Sequence, residues 1–311
     1  MTFLFMSILF ALWVIRLPDI RDKLTLSEGE IGIALFFIPI GALAAMSVSH
    51  ILNKKIGEGR LMSITLFLTA LTSLLPVIAP SFPLLCGGLL LFGFSSGLTD
   101  ISMNALVSTF EKRDNRQIMS VSHGFFSLGG IIGPLLGVLL YSFGLSVVFQ
   151  IGMAAVIVII IDGLVIYPSI GKERDQDHSD SKDPLFAIPK GYLIPLAIIG
   201  FCSMMGEGAI ADWSAIYMDD VVRAPEAMLG YGYASFSVTM TIGRFMGDSI
   251  IARLGRKGVV ISGCIMVIAG ISLILTGSMF VVLTGFAVVG VGYSAMIPVL
   301  FSIAGSVPGV S

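Results

Sequence analysis

Residues 191–218 read GYLIPLAIIGFCSMMGEGAIADWSAIYM. The run is twenty-eight residues long, and Glu207 and Asp212 are its only charged side chains. About 20 apolar residues are enough for a helix to cross the hydrocarbon core of a bilayer. The stretch therefore reads as a membrane-crossing helix that carries acids inside it. Counted from the midpoint of the run at 1.5 Å per residue, Glu207 lies only ~4 Å off centre, deeper than any other carboxylate in the chain. A carboxylate at that depth costs about 2.5–3.5 kcal/mol on insertion scales, so it needs a partner, water or a proton. Gly206 and Gly208 on either side allow local unwinding and close backbone approach. Two readings stand: a substrate ligand or protonatable coupling group, or a structural acid hydrogen-bonded across a helix bundle.

The rest of the chain has the same character. Of its 311 residues, 56% are hydrophobic and 12% are charged, and its mean hydropathy is +0.97. A soluble domain carries about 25% charged residues, so an ordinary soluble enzyme and a disordered chain are both excluded. The net charge of −2 gives no general attraction to polyanions, and no nucleic-acid partner is expected. Nine further apolar runs are long enough, or nearly so, to cross a membrane: roughly 1–16, 30–52, 60–79, 83–109, 118–142, 147–167, 227–251, 258–276 and 279–303. The fold class is all-α polytopic, with the lipid bilayer as its constant partner. The apolar N-terminus lacks a basic leader and a small-residue cleavage site, so it reads as a span and not as a signal peptide.

Lysine and arginine set the orientation. Thirteen lie in the loops at 52–60, 110–117, 168–190 and 252–257; Arg16, Arg21, Lys23 and Arg223 lie on the opposite side. The rich side is cytoplasmic, which puts the N-terminus in the cytoplasm. The longest polar stretch is GKERDQDHSDSKD, residues 171–183. It divides the chain into a six-helix bundle (1–167), a cytoplasmic linker (168–190) in which His178 is a solvated surface residue, and a four-helix portion (191–311). The loops HILNKKIGEGR (50–60) and ARLGRKG (252–258) are both basic, both contain glycine, and each follows the second helix of its half. That echo suggests two related halves in parallel order.

Three stretches carry a family resemblance. They are Arg16-Leu-Pro-Asp-Ile-Arg-Asp-Lys-Leu24 with Leu26-Ser-Glu28 and Ile31-Gly-Ile-Ala-Leu35; Asp100-Ile-Ser-Met-Asn104 continuing to Arg116, Met119-Ser120, His123-Gly124 and Phe126-Ser-Leu-Gly129; and Gly206-Glu-Gly-Ala-Ile-Ala-Asp-Trp-Ser-Ala-Ile-Tyr217. Through them the chain resembles a transporter of the major facilitator superfamily (MFS), of the branch that includes the bacterial inner-membrane proteins YbjJ and MosC, over essentially its whole length. The resemblance implies an MFS fold: a six-helix N-terminal bundle and helices 7–10 of a C-terminal bundle, with the superfamily's last two helices lacking. It also implies a bacterial inner-membrane location. The superfamily's cytoplasmic loop pattern, Gly-x3-Asp-Arg-x-Gly-Arg-Lys, is matched by Arg253, Gly255, Arg256 and Lys257. Ala252 stands where an Asp is expected, and Asn53-Lys54 replace Asp-Arg in the first half.

Further polar residues fall within the apolar runs. Gly93, Gly97, Asp100 and Asn104 share one helix face by their 4-3-4 spacing, as a substrate or proton site or as a helix–helix clamp. His123, Ser127, Gly130 and Pro134 line another face, and a histidine changes charge near neutral pH. Gly129, Gly133 and Gly137 form a double GxxxG, a close-packing element. Asp212 lies about 140° around the helix from Glu207, with Trp213 beside it as an interfacial anchor or a stacking platform. Tyr233, Ser237, Thr241, Arg244 and Asp248 align in the eighth span, with Tyr233, Phe236 and Tyr293 as aromatic contacts. Arg244 and Asp248 form an i, i+4 pair and, with Arg253 and Arg256, make a candidate gate. Asp162 lies nearer a membrane face and reads as snorkelling or pairing with a loop.

Other chemistry finds no support. Cys86, Cys202 and Cys264 are far apart and read as small buried hydrophobes, with no metal or disulfide spacing. Gly93-Phe-Ser-Ser-Gly97 fits the hydrolase GxSxG pattern but lies in an apolar helix, where the required strand-to-helix turn is absent. There is no phosphate-binding loop and no HExxH, so no cofactor and no enzymatic activity are expected. The function that fits is a secondary transporter moving a small, sugar- or polyol-like solute by alternating access, with protons as the coupling ion. The alternative is a non-transporting membrane sensor or assembly protein, or an inactive truncated transporter.

Overall fold

A computed structural model describes residues 1–114, 118–169, 191 and 193–304; the 171–183 stretch with His178, and Arg116, lie outside the described residues. Among the described residues there is no strand. The chain divides into two units, Met1–Ser179 and Asp180–Ser311.

The first unit contains α1 (Thr2–Val14), α2 (Leu17–Leu24), α3 (Glu28–Leu35), α4 (Phe37–Ile56), α5 (Glu58–Thr72), α6 (Leu75–Ile78), α7 (Phe82–Asp114), α8 (Met119–Ser142), α9 (Val147–Ile161), a π-turn (Asp162–Ile166) and α10 (Tyr167–Ser169). The second contains α11 (Leu193–Asp220), a short 3-10 turn (Glu226–Met228), α12 (Tyr231–Phe245), α13 (Gly247–Ile274), α14 (Met279–Ser294) and α15 (Met296–Ala304).

Among the described residues, seven helical segments are long and apolar enough to cross a membrane, or eight if α1 and α2, bent by 41°, are one span. Ten were expected. The difference arises from short breaks in the expected spans and not from missing helix. The 227–251 run is interrupted at Met246 and the 279–303 run at Ala295, leaving α12 with 15 residues and α14 with 16. Four breaks fall two or three residues before a proline: Ile15–Arg16 before Pro18, Phe36 before Pro39, Ser73–Leu74 before Pro76, and Ala295 before Pro298. Proline has no N–H for the carbonyl four residues back and crowds the preceding turn. Pro134, by contrast, sits inside α8 without breaking it.

The two basic glycine loops share a backbone device. Gly57, between α4 and α5, has φ 90° and ψ 142°; Gly255, inside α13, has φ 69° and ψ 163°. Residues with a Cβ avoid this conformation, so a single glycine turns the chain in each half. A basic residue stands two positions before it in each case, Lys55 in one loop and Arg253 in the other. The echo read in the sequence is thus also an echo of backbone geometry.

Glycines on helix faces set the packing. A Cβ on Gly93 would collide with the Ile38 carbonyl, and one on Gly97 would press on Ala42, so α7 lies directly against α4. Gly129 and Gly133 of α8 face Leu4, Ser7, Ile8 and Ala11 in the same way, so the double GxxxG seats α1. Close approach of small residues is how helices associate where lipid offers no hydrophobic drive. Large apolar side chains such as Leu43, Leu91, Leu164, Ile268 and Phe280 are exposed, as suits a surface solvated by acyl chains. Cys86 is buried, but Cys202 and Cys264 are exposed. The expectation that all three are buried is corrected for these two, which lie near Tyr293 and are not covered by the described helices.

Candidate functional site

In the first unit a polar chain links α7 to α8. Asn104 Nδ2 donates to the Asp100 carbonyl at 2.9 Å and to Asp100 Oδ1 at 3.2 Å. His123 Nε2 lies 3.1 Å from Asn104 Oδ1, and the Phe3 ring meets the imidazole edge-on at 5.2 Å. Two sequence-predicted stripes, one on each helix, therefore converge. The stripe on α7 also splits by role. Gly93 and Gly97 pack against α4, while Asn104, itself bonded to Asp100, makes the hydrogen bond that reaches His123 of α8.

In the second unit the deep acid has a cationic partner. Arg244 Nη2 of α12 donates to Glu207 Oε2 of α11 at 3.4 Å, a long contact for an ion pair, with the side chains 36% and 22% exposed. Glu207 Oε1 is buried and has no hydrogen-bond partner among the described residues. Leaving a buried acceptor unsatisfied costs about 1–3 kcal/mol, so this oxygen is poised to take a donor or a proton. The Tyr293 hydroxyl of α14 packs against the bare α-carbon of Gly206; no larger residue would let it approach Glu207's own turn. Tyr233 of α12 lies within electrostatic reach of Asp212, Glu207 and Arg244 and stacks on Phe236 with centroids 6.2 Å apart.

The glycines beside Glu207 do not unwind the helix: α11 is continuous from Leu193 to Asp220. Glu207 and Asp212 consequently stay on different faces, and Tyr233 is the group that interacts with both. Trp213 is half-buried. Sequence reasoning grouped Arg244 with Asp248, Arg253 and Arg256 as a gate. The structure brings Arg244 to Glu207; the Asp248 side chain lies outside the described residues, and Arg253 and Arg256 are exposed beside the Gly255 turn.

Two buried polar centres escaped the sequence reading. Arg16, counted as a loop charge, is 2% exposed. It donates to the Gly137 carbonyl at 2.7 Å and to Gln150 Oε1 at 3.1 Å, and its guanidinium lies 4.7 Å from the Tyr141 ring centroid. It thus joins the end of α1 to α8 and α9. The signal was present: Gln150 is a lone amide in an apolar run, and a buried amide calls for a partner. Asp162, read as snorkelling or loop-paired, is instead 5% exposed. Ser63 lies 2.8 and 2.9 Å from its two carboxyl oxygens. That reading is corrected: the side chain at the head of the π-turn is buried against α5, where Ser63 and not water or a loop meets it.

A helical membrane protein with an acid at mid-span, met by arginine and tyrosine from neighbouring helices, has the features of a solute-carrier fold. The Major Facilitator Superfamily model matches residues 1–310, and the chain belongs to that superfamily. An MFS-type transporter of Yersinia pestis is 31% identical over 297 residues, covering 95% of this chain and 76% of that one. The transporter y4wD of Sinorhizobium fredii is 30% identical over 306 residues, covering 96% and 79%. Among solved structures, the nucleoside transporter NupG superposes with a TM-score of 0.71 at 13% identity, over 99% of this chain and 81% of that one. A bacterial homologue of the iron transporter ferroportin gives 0.69 at 16% identity, over 99% and 83%. These structural likenesses concern the fold alone.

Proposed function

We propose that this chain is a proton-coupled secondary transporter of the bacterial inner membrane, moving a small polar solute by alternating access with its N-terminus in the cytoplasm. The observation that carries the reading is the half-satisfied Glu207: one carboxyl oxygen meets Arg244 at 3.4 Å, while the other is buried without a donor. A group of this kind serves a transport cycle because it holds either a proton or a solute donor, and exchanging them changes the buried charge that each state must accommodate. Arg244 stabilises the ionised form. Tyr233 and Tyr293 offer hydroxyls and ring faces to a solute, and Asp212 adds a second acid. Asp100, Asn104 and His123 are the second candidate proton or solute group. The neutral hydroxyl and amide groups at both places favour a sugar- or polyol-like solute.

The test is a thermal-shift screen of the purified protein in detergent, with sugars, polyols, amino acids and organic cations at two pH values. One class should raise the melting temperature of the wild type and fail to do so in Glu207→Gln. A folded protein that no class stabilises would turn the reading toward a non-transporting membrane protein.

A further inference from the structure

Asp162 is a buried acid that the proposed transport site does not use. It opens the π-turn, and its backbone carbonyl accepts the Tyr167 N–H five residues on, just before Pro168. π-turns inside α-helices are uncommon and are often found at functional positions. The side chain's recorded polar neighbour is Ser63 of α5, itself 3% exposed, whose Oγ lies 2.8 Å from Oδ1 and 2.9 Å from Oδ2. Met62, Leu66, Val158 and Ile166 belong to the apolar cluster around the pair.

The proton count decides what this pair is. A serine hydroxyl carries one hydrogen. An ionised carboxylate here would have two buried oxygens sharing that single donor, in an apolar surround and with no cation paired to it among the described residues. The elements packed against the π-turn are α5, α9 and α10. Their ionisable groups, besides Asp162, are Glu58 and Arg60 on α5 and Tyr167 on α10. Glu58 accepts from Thr109 at 2.7 Å; Arg60 and Tyr167 are exposed. None of these groups pairs with Asp162 among the described residues. A neutral acid removes the deficit. Ser63 then donates to the carboxyl C=O, the acid O–H donates to Ser63 Oγ, and both near-equal distances lie in the normal O–H···O range.

We infer that Asp162 carries a proton in the folded protein and forms a cyclic acid–hydroxyl pair with Ser63, a proton-holding site that ties α5 to the π-turn. Loss of the proton removes the bond that the acid O–H donates to Ser63 Oγ and leaves two carboxylate oxygens sharing the single Ser63 hydrogen. This site stands or falls independently of Glu207.

Infrared spectroscopy of the whole protein in detergent tests it. The wild type at neutral pH should show a protonated-carboxyl C=O band that is absent in Asp162→Asn, retained in Glu207→Gln, and moved to higher frequency in Ser63→Ala, where its hydrogen bond is lost. If Asp162→Asn removes an ionised-carboxylate band instead, the inference is wrong. Should that variant fail to fold, Ser63→Ala decides alone: an unshifted carboxyl band overturns the pair.

Discussion

Arg16 and Glu207 show how the same chemistry serves two ends. Both are charged groups withdrawn from water. Arg16 is held by a carbonyl, an amide and an aromatic ring; Glu207 has one long contact and one idle oxygen. Arg16, although its buried Nε finds no acceptor among the described residues, uses Nη2 to tie α1 to α8 and α9, whereas Glu207 Oε1 has no donor there and leaves room for a ligand. Replacing Arg16 with Met should therefore lower stability by about 2–3 kcal/mol, since its bonds are charge-assisted and leave Gln150 behind. That is read as a fall in melting temperature in detergent. Arg16→Lys should recover only part of it, because an ammonium cannot reproduce the planar fork that spans Gly137 and Gln150. Glu207→Gln should leave the melting temperature close to wild type while abolishing solute-dependent stabilisation. A large drop in the Gln variant would make Glu207 a structural acid.

Among the elements, the glycines divide into those that turn the chain and those that let helices touch. Gly255→Ala and Gly57→Ala should each cost about 1–3 kcal/mol, the penalty for placing a Cβ in an extended conformation with positive φ. Gly29→Ala, with open space and an ordinary φ, is the control. Gly93→Ala drives a methyl into the Ile38 backbone and should destabilise measurably; Gly87→Ala, exposed with nothing near it, should not. The spans themselves were legible because length and apolarity are local properties. Their breaks were less so: a proline marks a weak point, yet Pro134 is tolerated where Pro298 is preceded by a kink, and packing against neighbours decides between them. Contacts such as Arg244–Glu207 and Asp162–Ser63 were not legible at all. They join residues far apart in the chain, and periodicity orders only residues on one helix.

For the whole molecule, the excess of lysine and arginine in alternate loops makes a topological prediction. With cysteine introduced on a background lacking Cys86, Cys202 and Cys264, Lys55→Cys in the first basic loop should react with a membrane-impermeant thiol reagent only in inside-out vesicles. Arg223→Cys, in the exposed turn after α11, should react only in right-side-out ones. The reverse pattern would invert the proposed orientation. The most direct test of the central claim is solute-driven proton movement in proteoliposomes, reported by an entrapped pH dye, using the solute class that stabilises the purified protein. Wild type should change the luminal pH when that solute is added on one side, and Glu207→Gln should not. An unchanged dye signal with folded wild-type protein, or an equal signal from Glu207→Gln, would contradict it.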